Sequence, residues 1–384
     1  MRPRVVVELI VVALGLAVLA WVYCADLGWF ERHWFPYAYS WVWDAADLKT
    51  ARSWRIFGAV VGALLLFVVR PLLGRWAGRH TRAEVTDSVV RIGLSVVAAL
   101  VSSEICLRAL GLPKKPDKAQ WVEVKIGEPD ARYGWRYVGS HSTKMWQGGR
   151  DVEYAINAEH CRARSIDAVP DPALPTLIFT GESVTAGHGL RYEETFPALV
   201  GDAVKLQVVN LAVHGYGSDQ AFLRLAENLP RFQHPVAVVT FFIPAMLWRL
   251  SDNDHPHLGF DGPLPKVVPL GFWTDLRIEK IWKNVIPYRN ELALEAKIVR
   301  ETARLAEERG AKAIFVAPRF NDQNPREDAY LVEQLFVQQG LTVVDTSFGY
   351  QSIAYDNHPD AASERRLADA VLVTLRTQLA LKAP

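Results

Sequence analysis

The sequence predicts an α/β protein: a parallel sheet covered by helices on both faces, preceded by a membrane-helix region. Long apolar runs fill the first 110 positions. From about residue 171, short β-prone apolar runs alternate with segments of helical periodicity, the pattern of a parallel sheet with crossover helices. Pro175–Gly189, reading PTLIFTGESVTAGHG, ends a strand at a glycine and delivers Ser183 into the next turn. That places a hydroxyl at the carboxyl edge of the sheet, where sites in open α/β sheets lie.

Composition sets the outer bounds. At 384 residues the chain is long enough for one large domain or two smaller ones. Lys+Arg 43 against Asp+Glu 42 leaves no basic excess, so nucleic acid is not an expected partner. Cys24, Cys106 and Cys161 have no metal-ligand spacing and make no disulfide framework. Cys24 and Cys106 fall at the outer ends of predicted helices, where a disulfide between them is open.

Residues 1–110 read as the membrane region, with three spans at about 5–23, 56–73 and 89–110. Val5–Tyr23 is apolar except for Glu8, and the bulky Trp21-Val22-Tyr23-Cys24 offers no small-residue cleavage site, so a retained helix is expected. Asp26–Thr50 is dense in Trp, Tyr and Phe, which suits a loop at the membrane interface. Ile56–Leu73 carries one charge, Arg70, near its end. Val89–Leu110 is more polar, with Arg91 at one end and Glu104 and Arg108 at the other, and also suits an amphipathic helix packed on the soluble part. Arg70, Arg75, Arg79, Arg82 and Arg91 cluster between the second and third spans. The positive-inside rule puts that cluster and the amino terminus in the cytoplasm, so three spans leave everything after Leu110 on the outer face.

Residues 111–170 read as a linker, Gly111–Lys118, and an extension of short strands over Trp121–Asn157. Residues 171–384 form the main domain. Its strands are expected at Leu177–Thr180, Leu206–Ala212, Val236–Phe242, Ala313–Ala317 and Leu341–Asp345. Helices are expected near Thr195–Val204, at Ser218–Asn228 with Ser218 or Asp219 as cap, and at Asn290–Arg309, Arg326–Gln339 and Ala361–Leu379.

A nucleophilic serine needs a base, and the base a partner that fixes its tautomer. Tyr355-Asp356-Asn357-His358-Pro359, just before the closing helix, supplies both at the same sheet edge as Ser183. The same residues also suit a Gly/Ser-rich loop and an ordinary polar loop with Asp356 as a cap. The order and the shared edge favour chemistry.

With these residues in hand, the chain resembles the SGNH/GDSL hydrolase superfamily, in its membrane-anchored bacterial branch, over most of residues 104–384. The resemblance runs through Ser103–Arg108 and Arg132-Tyr133-Gly134-Trp135-Arg136. It implies a flavodoxin-like three-layer α/β/α domain with about five parallel strands. The family's Gly-Asp-Ser block is matched by Gly181-Glu182-Ser183, making Ser183 the nucleophile and its N–H one oxyanion donor. Val209–Gly217 matches the second block and implies the N–H of Gly215 as another donor. Asp356-Asn357-His358-Pro359 matches the last block, with His358 as base and Asp356 as its orienter; many relatives space that pair one residue further apart. The third block, usually Gly-x-Asn-Asp, is replaced by Phe241–Met246, which has no amide. Asn253 downstream could fold back to supply one, against its distance from the strand end, and His214, which flanks the site, is the other weak site residue, as a rival base.

His188 and His214 otherwise read as wall residues. His255-Pro256-His257 with Asp252 and Asp254 hints at a metal, although polar loops often look so; Trp248, Arg249 and Phe272-Trp273 suit either a sugar-lined cleft or core packing. No cofactor or metal is expected. The resemblance implies an ester hydrolase of the bacterial inner membrane, its domain facing the periplasm, acting on small O-acyl (acetyl) esters of cell-envelope carbohydrate. Two alternatives stay open: an O-acyltransferase using the same triad, and a catalytically inactive envelope module.

Overall fold

The structure, a computed structural model, describes residues 2–24, 45–110, 126–250, 255–259, 266–268, 276, 290–319, 325–347, 349–354 and 356–380. Residues 26–44 of the expected aromatic loop, the 111–118 linker, Asn253, Phe272 and Trp273 lie outside these residues, while 45–50, expected to end that loop, are helical. The chain divides into two compact units, which are described separately.

In the first unit, helix α1 spans Pro3–Cys24. Helix α2 (Ala45–Leu64) runs through a π turn, Leu65–Val69, into α3 (Arg70–Gly78). The wide turn sits where Pro71 requires it, because a proline nitrogen donates nothing and its ring crowds the carbonyl four residues back. The N–H of Arg70 reaches Leu65 O instead. Helix α4 (Arg82–Ala109) begins at Arg82 rather than near Val89 because Thr81 caps it. Thr81 Oγ1 accepts the Glu84 N–H at 3.3 Å, and Glu84 Oε2 accepts the Thr81 N–H at 2.7 Å, a capping box.

Pro3–Cys24, Arg52–Gly78 and Arg82–Ala109 are each long and apolar enough to cross a membrane. Glycines bring α1 against its neighbour: a Cβ on Gly15 would lie 2.7 Å from Leu66 Cδ2, and one on Gly62 2.7 Å from Leu19 Cδ2. Glu8 pairs with Arg4 at 2.8 Å and faces Arg70 at 4.0 Å. Cys24 and Cys106 are free thiols, so no disulfide joins them.

The second unit opens with a separate hairpin, β1 (Gly127–Asp130) and β2 (Gly134–Tyr137). The main sheet takes in β3 (His141–Gln147), β4 (Arg150–Ile156), β5 (Arg162–Ala163), β6 (Thr176–Thr180), β7 (Gln207–Asn210) and β8 (Pro235–Phe241). After another small hairpin, β9 (His257–Gly259) with β10 (Lys266–Val268), come its last two strands, β11 (Lys312–Arg319) and β12 (Val343–Ser347). The order is β12-β11-β8-β6-β7-β5-β4-β3. From β12 to β7 the strands run parallel; β5, β4 and β3 continue antiparallel beyond β7. The expected extension ahead of the core thus joins the edge of the same sheet.

Counted along the chain, the parallel strands lie in the order 2-1-3-4-5, a doubly wound arrangement whose crevice opens between the first and third strands, β6 and β8. Alternation within those strands builds the layers. Leu177, Phe179, Val239 and Phe241 face α6 (Phe196–Val204) and α11 (Ala361–Leu379), while Ile178 and Val238 face α7 (Ser218–Asn228) and α9 (Asn290–Glu308). A short helix α10 (Pro325–Leu335) precedes β12. The cap of α7 is Gly217 rather than Ser218 or Asp219. Gln220 Oε1 takes the Gly217 N–H at 2.8 Å, and the Asp219 carboxylate is engaged by the Gln220 N–H and by His255.

Candidate active site

β6 is buried along its whole length and ends at Gly181, whose φ of +153° only glycine adopts readily here. A Cβ there would lie 2.7 Å from Thr185 Oγ1 and 2.8 Å from Phe241 Cβ. The chain then turns sharply. Glu182, extended, caps a single helical turn α5 (Ser183–Ala186), with its Oε1 accepting the Val184 N–H at 2.9 Å. As first residue of that turn, Ser183 has no acceptor for its N–H within it.

The other parts come from two further loops. Asp356 and His358 sit between β12 and α11, where a bridge between Ser352 and Pro359 and the Ile353 N–H to His358 O bond, 2.9 Å, fix the loop. Ile353 wedges this loop against the β3–β4 turn and the Ser183 loop, since a Cβ on Gly148 or Gly189 would lie 2.6 Å or 2.5 Å from its side chain. Gly215 follows β7 at φ +80°. Its loop is pinned from β2: Trp135 Nε1 donates to His214 O at 2.9 Å, the His214 N–H to Tyr137 Oη at 3.2 Å, and Tyr216 Oη to Trp135 O at 2.8 Å. That is the structural use of the Arg132–Arg136 segment.

These loops bring Ser183 Oγ to 2.7 Å from His358 Nε2, and His358 Nδ1 to 2.5 Å from Asp356 Oδ1. The Asp356–His358 spacing of two residues suffices because Asp356 Oδ1 also accepts the His358 N–H at 2.9 Å, folding the segment back on itself. Ser183 is 3% exposed and sits just beyond the carboxyl end of β6. His214 stands beside it, its ring centroid 5.6 Å from that of His358.

Three side chains belong to this site that the sequence reading did not give a role in catalysis. His188, read as a wall residue, donates from Nε2 to Asp356 Oδ2 at 3.1 Å, so Asp356 serves two imidazoles. Hydrogen bonds from His188 first, then His358, hold the Asp356 carboxyl well below its ordinary range against the opposing effect of burial. Glu182 touches Ser183 Oγ through Oε2. One hydroxyl proton cannot serve both acceptors, so Glu182 competes with His358 for it. Burial pushes Glu182 up, but Arg249, His358, the Ser183 hydroxyl and the Val184 N–H outweigh it and hold the carboxyl below its usual value. Arg249 ends α8 (Pro244–Arg249), which follows β8; its Nη1 lies 3.6 Å from Glu182 Oε2 and donates to Tyr216 O at 3.0 Å. A guanidinium thus stands after the third parallel strand, where the sequence shows no amide. The signal for His188 and Glu182 was their position on the Ser183 loop itself.

His255 is not part of this site. It is buried against Asp219, Nε2 to Oδ2 at 3.0 Å, with Trp135 edge-on to its ring.

No protein-family model matches the chain, and no curated protein matches it. Solved structures show partial similarity. The crystal structure of TesA is 18% identical with a TM-score of 0.35, over 53% of this chain and 98% of that one. An acetyl xylan esterase, Est2A, from the rumen bacterium Butyrivibrio proteoclasticus is 11% identical with a TM-score of 0.33, over 55% of this chain and 66% of that one. A family two carbohydrate esterase from Clostridium thermocellum, solved with cellohexaose, is 13% identical with a TM-score of 0.36, over 56% of this chain and 67% of that one.

Proposed function

We propose that this chain is a membrane-anchored serine ester hydrolase of the SGNH/GDSL type. The observation that carries this reading is the line from Ser183 Oγ to His358 Nε2, 2.7 Å, and from His358 Nδ1 to Asp356 Oδ1, 2.5 Å. In that arrangement His358 takes the hydroxyl proton as Ser183 attacks an acyl carbonyl, and Asp356 holds the ring in the tautomer that leaves Nε2 basic. The N–H groups of Ser183 and Gly215 bear the oxyanion. The alcohol leaves with the proton from His358, and water, activated by the same ring, releases the acyl group.

The substrate class follows from the motif resemblance: small O-acyl groups, acetyl foremost, on cell-envelope carbohydrate. Three helices apolar enough to span a bilayer, with the arginine cluster between the second and third, support a multi-pass inner-membrane protein whose domain faces outward. A reporter fused at Pro384 and active only outside the cytoplasm is the expected result; activity only inside refutes the orientation. Acyl transfer uses the same three side chains and differs in the acceptor, which product analysis with an acceptor sugar separates from hydrolysis.

The decisive experiment is covalent labelling by a fluorophosphonate probe together with hydrolysis of p-nitrophenyl acetate. Wild type should label and hydrolyse, and Ser183→Ala should do neither. Absence of labelling in folded wild type would favour the inactive-module reading.

A further inference from the structure

Beyond hydrolysis, we propose that the site binds one zinc ion through His188, His214 and His358, and that the bound ion takes the base out of use. The three rings arrive on separate loops, after β6, β7 and β12, and their ligating nitrogens lie within 4.8 Å of one another, so the wider-spaced nitrogens close in by ring rotation to reach tetrahedral spacing on one ion. His188 Nδ1 and His214 Nδ1 are 3.2 Å apart. Two ligands on a tetrahedral zinc with Zn–N of about 2.0–2.1 Å are separated by about 3.3 Å.

The lone pairs are set by Asp356. A carboxylate only accepts, so His358 gives it the Nδ1 proton at 2.5 Å and His188 gives it the Nε2 proton at 3.1 Å. Each neutral ring then carries its lone pair on the opposite nitrogen: His358 Nε2, which faces Ser183, and His188 Nδ1, which accepts from His214 Nδ1; when the ion binds, His214 shifts its proton to Nε2 and ligates through Nδ1. A carboxylate orienting imidazoles for a metal is the recurrent outer shell of zinc sites. Here one carboxylate orients two. Imidazole donors select zinc, copper or nickel over magnesium or calcium. His214 and His358 are only partly buried, so an ion can reach them. The Nε2 lone pair of His358 cannot hold zinc and accept the Ser183 proton together, so occupancy silences the triad.

Binding is measured apart from catalysis, on the full chain in detergent with no histidine tag. The Ser183→Ala protein is titrated with cobalt(II), whose visible bands report imidazole coordination, and zinc is used to displace it. The expected result is one equivalent per chain. Each of His188→Ala and His214→Ala should weaken binding by about tenfold or more, with His214→Asn standing in if the alanine variant does not fold. Zinc should also raise the melting temperature of Ser183→Ala but not of the histidine variants. No saturable binding, or binding unchanged in both histidine variants, overturns the site. In wild type, zinc should abolish ester hydrolysis and a chelator should restore it; zinc bound with hydrolysis undiminished overturns the occlusion. Zinc held by the three histidines in a protein that hydrolyses no ester would leave the site standing and remove the hydrolase reading instead.

Discussion

His188 donates from Nε2 to Asp356 Oδ2 over 3.1 Å, so the carboxylate that also accepts from His358 is anchored on both oxygens. A carboxylate held on one side can rotate away from its imidazole; held on both, it cannot without breaking a charged hydrogen bond.

In the proposed mechanism that anchoring makes His188 a positioning residue. A hydrogen bond to a charged group contributes about 1.5–3 kcal/mol, so His188→Ala should lower kcat by about 10–100-fold, with little change in KM. His188→Gln, which keeps a donor, should recover part of the loss. Asp356 is depressed in the fold, so its contribution to stability is present above the ordinary carboxylate range and fades as pH falls through the lowered value. Without His188 that value rises, and acid unfolding should begin at higher pH. Steady-state kinetics and acid titrations followed by circular dichroism check both.

Glu182 does two jobs with two oxygens, capping Val184 through Oε1 and contacting Ser183 through Oε2. Glu182→Ala leaves the Val184 donor uncapped and Arg249 without its nearby carboxylate, and should cost about 1–3 kcal/mol in chemical denaturation. Glu182→Gln removes the charge that competes for the serine proton and should leave kcat equal to or above wild type. A fall of about tenfold would show that the carboxylate itself is needed.

Gly189 lets the Asp356–His358 loop dock. At φ +72° it is left-handed, and an added Cβ would meet Ile353 Cδ1 at 2.5 Å. Gly189→Ala should destabilise the domain by about 1–3 kcal/mol and lower kcat by displacing His358. Adding Ile353→Ala should restore part of the activity, since it removes the clash but not the backbone strain.

Glu295 is buried, with no partner for Oε2 among the described residues. Burial pushes its carboxyl up to about 8, with Ser218 opposing and Asp219 adding to the rise. A raised carboxyl favours the fold most below its unfolded value of 4.5, and that contribution is lost as pH climbs through about 8. Glu295→Gln should therefore flatten the stability profile between those limits and raise the melting temperature at pH 8.5 relative to wild type.

Sequence legibility followed locality. The closing helix Ala361–Leu379 is legible to the residue; Asp360 caps it through the Ser363 N–H at 2.8 Å, a contact contained in four residues. The apolar run of helix α4 starts seven residues after the helix itself, because the Thr81–Glu84 box that starts it is polar. The β3–β5 extension was visible as strands, but strand pairing is set by distant partners, so its union with β7 was not. The same limit hid His188: nothing near it in the chain says which carboxylate it will meet.

What the chain alone determined is chemical type and order: apolar runs that need a non-aqueous surface, strands that need helices on both faces, and a serine and a histidine–aspartate pair near opposite ends of one domain. Those follow from periodicity and side-chain chemistry within a few residues. Only the tertiary structure decided distances. Ser183 and His358 meet at 2.7 Å because a parallel sheet puts the ends of β6 and β12 at one edge, and Ile353, wedged against two glycines, sets how far the second loop reaches.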